Sequence, residues 1–255
     1  MKIGAQMFTI REFCKTPERI IESLEKLAEI GYRYIQFSGC GPIDPHLLRD
    51  TCDRLGMELI LTHSKYERII DDTDNLIKEH DIYGSDYIGL GAMPQYARVD
   101  QNGLDAFMKV LEEPIQKIRA AGKRFGYHNH AFEFRKMKDD LIFNHLLNRF
   151  SADELGVILD TYWVQQGGAD IYQWIDKLKG RLYCVHLKDQ GVKEDGKSPM
   201  MMPIGEGNLN FPAIIKAFEE AGAEYAFVEQ DKCNGEDPFE CLRRSFEYLK
   251  SLGYC

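Results

Sequence analysis

The sequence lacks the long apolar runs of a membrane protein. Its longest apolar stretches span only a handful of residues, whereas a helix that crosses a bilayer takes roughly 20. Residues 1–5 (MKIGA) also lack the charged and apolar regions that open a secretory signal peptide. We therefore expect a cytoplasmic protein with no membrane partner.

The chain has no excess of basic residues. It holds 32 Lys and Arg against 41 Asp and Glu in 255 residues, which gives a formal net charge of −9. Affinity for a nucleic acid comes mainly from Lys and Arg that displace counterions from phosphates. We therefore expect no nucleic-acid partner.

Paired cysteines are also missing. The seven cysteines are scattered, odd in number and form no C-x-x-C motif. This usage is typical of a reducing compartment and argues against a disulfide framework or a zinc-thiolate site.

What the sequence does contain is a regular alternation of short apolar runs and longer amphipathic ones. The apolar runs predict eight strands, at residues 2–8, 32–37, 58–63, 87–91, 124–130, 156–160, 182–187 and 225–229. The amphipathic runs predict eight helices, at about residues 17–30, 45–55, 68–82, 103–121, 139–149, 168–179, 211–221 and 238–252. Several of these helices are followed by glycine, which can adopt the positive φ that ends a helix.

Eight strand–helix units in one chain of this length favour a (β/α)8 TIM barrel of the α/β class, since right-handed crossovers close such a series. A doubly wound open sheet is the competing architecture, but no strand is followed by a glycine-rich phosphate-binding motif. No linker or shift in composition divides the chain, so we predict a single domain over residues 1–255. Two longer connections, residues 93–102 and 189–210, are expected at the active-site end of the barrel, and residues 188–197 are expected to form a solvated flap.

Ionisable residues close five of the eight predicted strands. Barrel strands are buried and should be apolar. Five of the predicted strands nevertheless end in an ionisable residue or lead directly into one. Strand by strand, these residues are His63; His128, His130 and Glu133; Asp160; His186; and Glu229 and Asp231. The carboxyl ends of parallel strands meet at one face, so these groups should converge. Carboxylates and imidazoles without thiolates suit a divalent ion such as Mn²⁺, Mg²⁺, Co²⁺ or Zn²⁺.

Five motifs carry a resemblance to a known family. They are residues 127–134 (YHNHAFEF), 159–163 (LDTYW), 185–189 (VHLKD), 205–207 (GEG) and 228–231 (VEQD). The chain resembles the sugar phosphate isomerase/epimerase family of xylose isomerase-like TIM barrels, within the AP endonuclease 2 superfamily. The resemblance covers the second half of the chain through these motifs and the first half through its βα rhythm and His63.

The resemblance implies roles for particular residues. It implies that the metal ligands are Glu133, Asp160, His186 and Glu229, and that the two glutamates are also catalytic, one removing a proton next to a carbonyl and the other returning it. It implies substrate-binding roles for His63, His128, His130 and Lys188. The sequence departs from several relatives because His128 stands nearest to the usual position of the strand-end acid, so either Glu133 reaches back to the metal or a histidine replaces it.

Other polar and aromatic residues lie next to these positions. An acid just beyond a ligand, such as Asp189 or Asp231, often orients a neighbouring histidine or lysine. Trp163 is a candidate for an apolar wall of the pocket or for packing against a helix, and Tyr66, Tyr96 and Gln36 are weaker candidates for its entrance.

The leading hypothesis is a metal-dependent isomerase or epimerase of a small-molecule sugar or polyol, working by proton transfer next to a carbonyl. Dehydration of a keto-polyol such as an inosose is a close alternative, because it begins with the same proton removal. Phosphodiester hydrolysis of the endonuclease IV type is less favoured, since only four of the seven histidines lie off the predicted helices. A homo-oligomer and a purely sugar-binding, non-enzymatic barrel remain open.

Overall fold

A closed barrel of eight parallel strands forms the centre of the computed structural model, which describes residues 1–254. The barrel strands are β1 (Lys2–Gln6), β2 (Tyr34–Phe37), β3 (Glu58–Ser64), β4 (Tyr87–Leu90), β5 (Arg124–His128), β8 (Gly156–Asp160), β9 (Leu182–Leu187) and β12 (Tyr225–Val228). Two short hairpins lie outside it: β6 (Lys136–Met137) with β7 (Asp140–Leu141), and β10 (Asp189–Val192) with β11 (Pro199–Met202). The predicted barrel and its eight strands are confirmed.

Helices follow the barrel strands and cover the outside of the barrel. They are α1 (Pro17–Ile30), α2 (Pro45–Leu55), α3 (Tyr66–Asp71), α4 (Thr73–Tyr83), α5 (Gln101–Ala120), α6 (Ile142–Arg149), α7 (Thr161–Gln166), α8 (Ile171–Lys177), α9 (Phe211–Glu220) and α10 (Pro238–Ser251). The predicted third helix is two helices, because Asp72 leaves the helical conformation at φ −138° and ψ 32°. Short 3-10 helices at Met7–Phe13, Gln95–Arg98 and Phe132–Phe134 complete the connections.

Local sequence signals explain where these helices begin and end. Thr16, Asp44 and Asn210 each accept a backbone N–H with their side chains, and a proline follows in the first turn of α1, α2 and α9. Gly31 and Gly56, immediately after α1 and α2, have positive φ, as their positions predict.

The interior of the barrel is filled in two parts along its axis. Near the amino ends of the strands, Phe227, Ile158 and Cys184 pack with a ring of half-buried tyrosines, namely Tyr34, Tyr87, Tyr183 and Tyr225. Gly4 makes room for this layer, since a Cβ there would lie 2.6 Å from the Phe227 ring. The barrel is therefore closed at this end by aromatic rings, and polar side chains occupy the opposite end.

The long connection after β9 is an ordered hairpin followed by a loop. Lys188 and Asp189 are buried, so the prediction that residues 188–197 form a solvated flap is wrong at its start, and only residues 192–197 are exposed. None of the helices within residues 1–254 has the length and apolarity to span a membrane.

Candidate metal centre and active site

Four buried side chains converge at the carboxyl ends of neighbouring barrel strands. His128 ends β5, Asp160 ends β8, His186 lies near the end of β9, and Glu229 follows β12. One possible ligand atom from each lies within 4.8 Å of the others. The strand register causes this, since Asp160 pairs with His186 across β8 and β9. We call these four residues the ligand cluster.

Asp160 is fixed so that only one of its oxygens is free for the cluster. Its Oδ1 accepts the Trp163 N–H at 3.0 Å and so begins helix α7, while its own N–H is donated to Asn129 Oδ1 at 3.0 Å. Its Oδ2 lies 3.3 Å from His128 Nε2 and 3.7 Å from His186 Nδ1. The helix cap thus aims the second oxygen at both histidines.

Each histidine of the cluster has one ring nitrogen bonded to a carbonyl oxygen that lies outside the cluster. His186 Nε2 lies 2.6 Å from Gln36 Oε1, and His128 Nδ1 lies 3.0 Å from the Gly91 carbonyl oxygen. A carbonyl oxygen can only accept, so each ring donates an N–H there and turns its other nitrogen to a carboxylate: His186 Nδ1 lies 2.9 Å from Glu229 Oε2, and His128 Nε2 lies 3.3 Å from Asp160 Oδ2. This is the usual arrangement of metal-binding histidines, and two imidazoles with two carboxylates fit a divalent ion.

A buried lysine brings positive charge to the cluster. Lys188 Nζ lies 3.0 Å from Asp160 Oδ2, 2.7 Å from Glu229 Oε2 and 3.1 Å from Asp231 Oδ1. Thr161 fixes its backbone, because the Thr161 hydroxyl accepts the Lys188 N–H and donates to its carbonyl oxygen. Although burial alone would raise them, the ammonium holds the pKa values of Asp160 and Glu229 well below their usual range.

Asp231 is the third carboxylate that contacts Lys188. Burial and the nearby charge of Glu229 raise the pKa of Asp231 to about 7, although Lys188 opposes the shift. The expectation that an acid beyond a ligand orients a lysine fits this contact. Asp189, in contrast, bonds to backbone amides of the loop at residues 205–209.

Glu133 is buried but stands apart from the ligand cluster. Its Oε1 accepts the Tyr127 hydroxyl proton at 2.5 Å, and its Oε2 accepts the His130 N–H at 2.8 Å. Burial raises the pKa of Glu133 to about 7. Of the four ligands expected from the sequence, the structure brings Asp160, His186 and Glu229 together, and His128 takes the fourth position.

A cavity of about 410 Å³ opens above the cluster. All four residues expected to bind substrate line it, namely His63, His128, His130 and Lys188, and so do Glu229, Asp231, Tyr66 and Trp163. Three buried atoms of this lining have no hydrogen-bond partner among residues 1–254: His63 Nε2, His130 Nδ1 and Trp163 Nε1. Burial lowers the pKa of His130 to about 3, so this ring is neutral and able to bond a hydroxyl group.

Sequence reasoning missed Gln6 and considered Gln36 only as a weak candidate for the entrance of the pocket. Gln36 supports His186, and Gln6 Nε2 lies 3.5 Å from His63 Nδ1. Both glutamines are fully buried inside the barrel. The available signal was a polar residue inside an otherwise apolar strand, as in residues 34–37 (YIQF).

Comparison with protein families identifies the family to which this barrel belongs. The family model described as "Xylose isomerase-like TIM barrel" matches residues 24–252. The chain belongs to this family. A shared fold does not determine an activity, so the function of this chain has to be argued from its own site.

Solved structures with this fold include three with informative names. A sugar phosphate isomerase/epimerase from Parabacteroides distasonis ATCC 8503 is 22% identical, with a TM-score of 0.79 over 98% of this chain and 93% of that one. An L-ribulose 3-epimerase is 16% identical, with a TM-score of 0.73 over 99% and 94%. The IolI protein with a bound zinc atom is 14% identical, with a TM-score of 0.75 over 99% and 98%. At these identities the likeness shows the fold alone.

The search of curated proteins found no match to this chain.

Proposed function

We propose that this protein is a metal-dependent enzyme that transfers a proton next to the carbonyl of a sugar or polyol, as an isomerase or epimerase. The observation that carries the proposal is the buried ligand cluster at the floor of a cavity whose wall holds unpaired polar atoms. A sugar offers the hydroxyl groups that such a wall can bond. The names of the isomerase and epimerase structures of the same fold are consistent with this chemistry.

We propose His128, Asp160, His186 and Glu229 as the ligands, with His128 in the place first expected for Glu133. Two nitrogen donors favour Mn²⁺, Co²⁺ or Zn²⁺ over Mg²⁺, which prefers oxygen. The zinc named with IolI falls within this range. The bound ion would act as a Lewis acid on a substrate carbonyl.

The proton chemistry then falls to residues that line the cavity. Glu229 lines it as an ionised carboxylate and is the proposed base. Lys188, 2.7 Å from Glu229, is the proposed donor to the substrate oxygen on which negative charge develops. Glu133 does not line the cavity, so transfer between two glutamates on opposite sides of a carbon has no support in this geometry.

A single base, Glu229, with Lys188 beside it also favours dehydration as a second candidate function. A single base that has removed the proton can return it to the neighbouring carbon, which gives isomerisation. If the proton is not returned to carbon and the β-hydroxyl leaves, the result is dehydration. The Lys188 ammonium, bonded to Asp231, is a suitable acid for a departing hydroxyl. Both candidates share one site and one first step.

The proposal is tested by incubating the Mn²⁺-loaded protein with ketoses, aldoses and keto-polyols in D₂O. Isomerisation is expected to place deuterium on carbon, and dehydration is expected to remove one water from the mass; NMR and mass spectrometry distinguish them. Glu229→Gln should lower kcat at least 100-fold with the fold intact by circular dichroism. Glu224→Gln, an exposed change just before the same strand, should have no effect. Unchanged proton exchange in Glu229→Gln would refute the assignment of the base.

A further inference from the structure

Gln6, the last residue of β1, is a fully buried amide whose orientation is fixed by the backbone that follows it. Its Oε1 accepts the Phe8 N–H at 3.1 Å and so begins the 3-10 helix at Met7–Phe13. A backbone N–H can only donate, so the amide atom that faces it must be the oxygen. The NH₂ group of Gln6 is therefore the atom that faces His63, with its nitrogen 3.5 Å from His63 Nδ1.

The position of that NH₂ group determines which nitrogen of His63 carries the proton. An amide NH₂ group can only donate, so His63 Nδ1 must face it with a lone pair. An imidazole that accepts at Nδ1 is neutral and holds its single proton on Nε2. The tautomer of His63 on β3 is thus set by a side chain of β1, which lies on the far side of β2 in the barrel.

Two glycines at the carboxyl end of β4 leave room for the His63 ring in this position. A Cβ at Gly89 would lie 3.0 Å from His63 Cδ2, and a Cβ at Gly91 would lie 3.1 Å from His63 Nδ1. Larger residues at these two positions would press on the ring from the side of β4. Their absence lets the ring keep its contact with Gln6.

The proton on His63 Nε2 has no acceptor among residues 1–254. Nε2 is buried and unpartnered, and His63 lines the cavity above the ligand cluster. The centroid of its ring lies 5.2 Å from that of His128 and 5.4 Å from that of His186, so the ring borders the cluster. Because a buried donor without a partner is costly, its presence in a cavity wall indicates that a bound molecule supplies the acceptor.

We propose that Gln6 is a positioning residue that makes His63 a hydrogen-bond donor, and never an acceptor, toward the substrate. The tautomer stands on the contacts of Gln6 and His63 alone, whereas its use in catalysis rests on the proposed function. There, Glu229 takes the proton from carbon, and the electron pair that is left moves onto the carbonyl oxygen. The His63 N–H donates to that oxygen beside Lys188 and keeps its own proton throughout.

The tautomer is tested by ¹⁵N NMR on protein labelled at histidine and loaded with Zn²⁺, which is diamagnetic. The nitrogen shifts of an imidazole distinguish a protonated nitrogen from one with a lone pair. The signals that disappear in His63→Gln assign His63 among the seven histidines. We expect the wild type to show a lone pair on His63 Nδ1 and a proton on Nε2, and a proton on Nδ1 would overturn the proposal.

Gln6→Glu tests whether Gln6 sets this state. A carboxylate can only accept, so it should draw a proton onto His63 Nδ1 and change the signal of that nitrogen. An unprotonated Nδ1 in the folded variant would refute the role of Gln6. If the variant does not fold, a nuclear Overhauser effect from the Gln6 amide protons to the His63 ring decides instead, and its absence would refute the contact.

Thr9→Val is the matched control for Gln6→Glu. Thr9 is buried on the same 3-10 helix, and its hydroxyl accepts the Gln230 N–H at 3.0 Å. The change removes a buried polar contact without altering Gln6, so the His63 signals should keep their wild-type form. A switch of the tautomer in Thr9→Val would show that any disturbance of this helix suffices, and would refute the specific role of Gln6.

The catalytic part is tested with the substrate that exchanges fastest in the D₂O experiment above. His63→Gln keeps an N–H donor near the place of Nε2, whereas His63→Met has a similar size and no donor. We expect His63→Met to lower kcat about 100-fold with KM changed less than about 3-fold, because the bond strengthens as charge develops on the oxygen. His63→Gln should recover about 10-fold of that loss, and equal rates in the two variants would overturn the donation.

Failure of this inference is distinguishable from failure of the proposed function. Proton exchange together with the opposite tautomer of His63 would refute the inference and leave the proton-transfer chemistry standing. The expected tautomer without proton exchange on any carbonyl substrate would support the positioning by Gln6 and refute the proposed function.

Discussion

At the scale of single residues, the buried carboxylates differ in how many of their oxygens are already bonded. Both oxygens of Glu133 accept protein hydrogens, from Tyr127 and from the His130 backbone. Asp160 uses one oxygen for the cap of α7 and turns the other into the cluster, where it contacts Lys188 and His128. Both oxygens of Glu133 are bonded to groups outside the cluster, and this separates Glu133 from the proposed ligands.

The first prediction concerns metal affinity. Glu133→Gln should change the Mn²⁺ dissociation constant by less than 10-fold, because Glu133 acts on the ligand cluster only through the chain around His130. Asp160→Asn should weaken binding by more than the roughly 10- to 100-fold typical of residues behind the ligands. Competition with a chelator measures both constants. A large loss in Glu133→Gln together with normal binding in Asp160→Asn would restore Glu133 to the ligand set.

Sequence reasoning identified most of the ligand cluster, because the ends of strands can be located from the alternation of apolar and amphipathic runs. Asp160, His186 and Glu229 follow apolar runs directly, so the barrel geometry brings them together. The choice between His128 and Glu133 could not be made that way. It depends on the turn after β5, where Tyr127 and the His130 N–H hold Glu133, and those contacts are tertiary.

At the scale of elements, one carboxylate organises the loop that follows the β10–β11 hairpin. Asp189 accepts backbone N–H groups from Gly205, Gly207 and Leu209 at 2.9–3.2 Å. The hairpin is held against the end of the barrel by Gln230, which donates to the Met201 carbonyl oxygen. The loop therefore depends on close approach of its backbone to a single side chain.

Gly207→Ala should disrupt this loop. A Cβ at this position would lie 2.3 Å from Asp189 Oδ1 and 2.7 Å from the Gln190 carbonyl oxygen, so the backbone must move and hydrogen bonds must break. We expect a loss of about 2–3 kcal/mol in the free energy of unfolding, the cost of unsatisfied buried polar groups. Urea denaturation measures it.

Gly196→Ala is the control for this change. It lies at the exposed hairpin tip with no atom within 4 Å of the added Cβ, and it should cost only about 1 kcal/mol for its positive φ. Equal losses in the two variants would show that crowding against Asp189 has no role.

The predicted helices and strands agree with the structure where local sequence features mark them, and they disagree where such features are missing. Apolar runs, capping residues and glycines located the eight barrel strands and most helix ends. The hairpins β6–β7 and β10–β11 were missed because two to four residues of each strand carry too little pattern. Asp72, which divides α3 from α4, was missed because aspartate is also common inside amphipathic helices.

At the scale of the whole molecule, buried neutral histidines make stability depend on pH. Burial lowers the pKa of His80 to about 4, well below the value of roughly 6.5 that it has in an unfolded chain. As the pH falls, the unfolded state therefore binds this proton first. The contribution of His80 is complete above pH 7 and is lost progressively down to about pH 4.

His80→Gln should remove this dependence. Between pH 8 and pH 5 the wild type should lose about 2 kcal/mol more of its unfolding free energy than the variant does, from the linkage of the two pKa values. Denaturant titrations at both pH values measure the difference, and the comparison cancels the contributions of the other histidines. Parallel losses in the two proteins would show that His80 titrates normally in the fold.

The ring of tyrosines at the amino end of the barrel also restricts the access of small molecules to the ligand cluster. Because aromatic side chains close that end, a substrate and an ion would reach the ligand cluster from the opposite end, through the cavity lined by Glu229 and Lys188. An ion that lies beneath a bound substrate would therefore be covered by it. A polyol bound above the ion would block its exit, so the rate of ion exchange should fall as the polyol concentration rises.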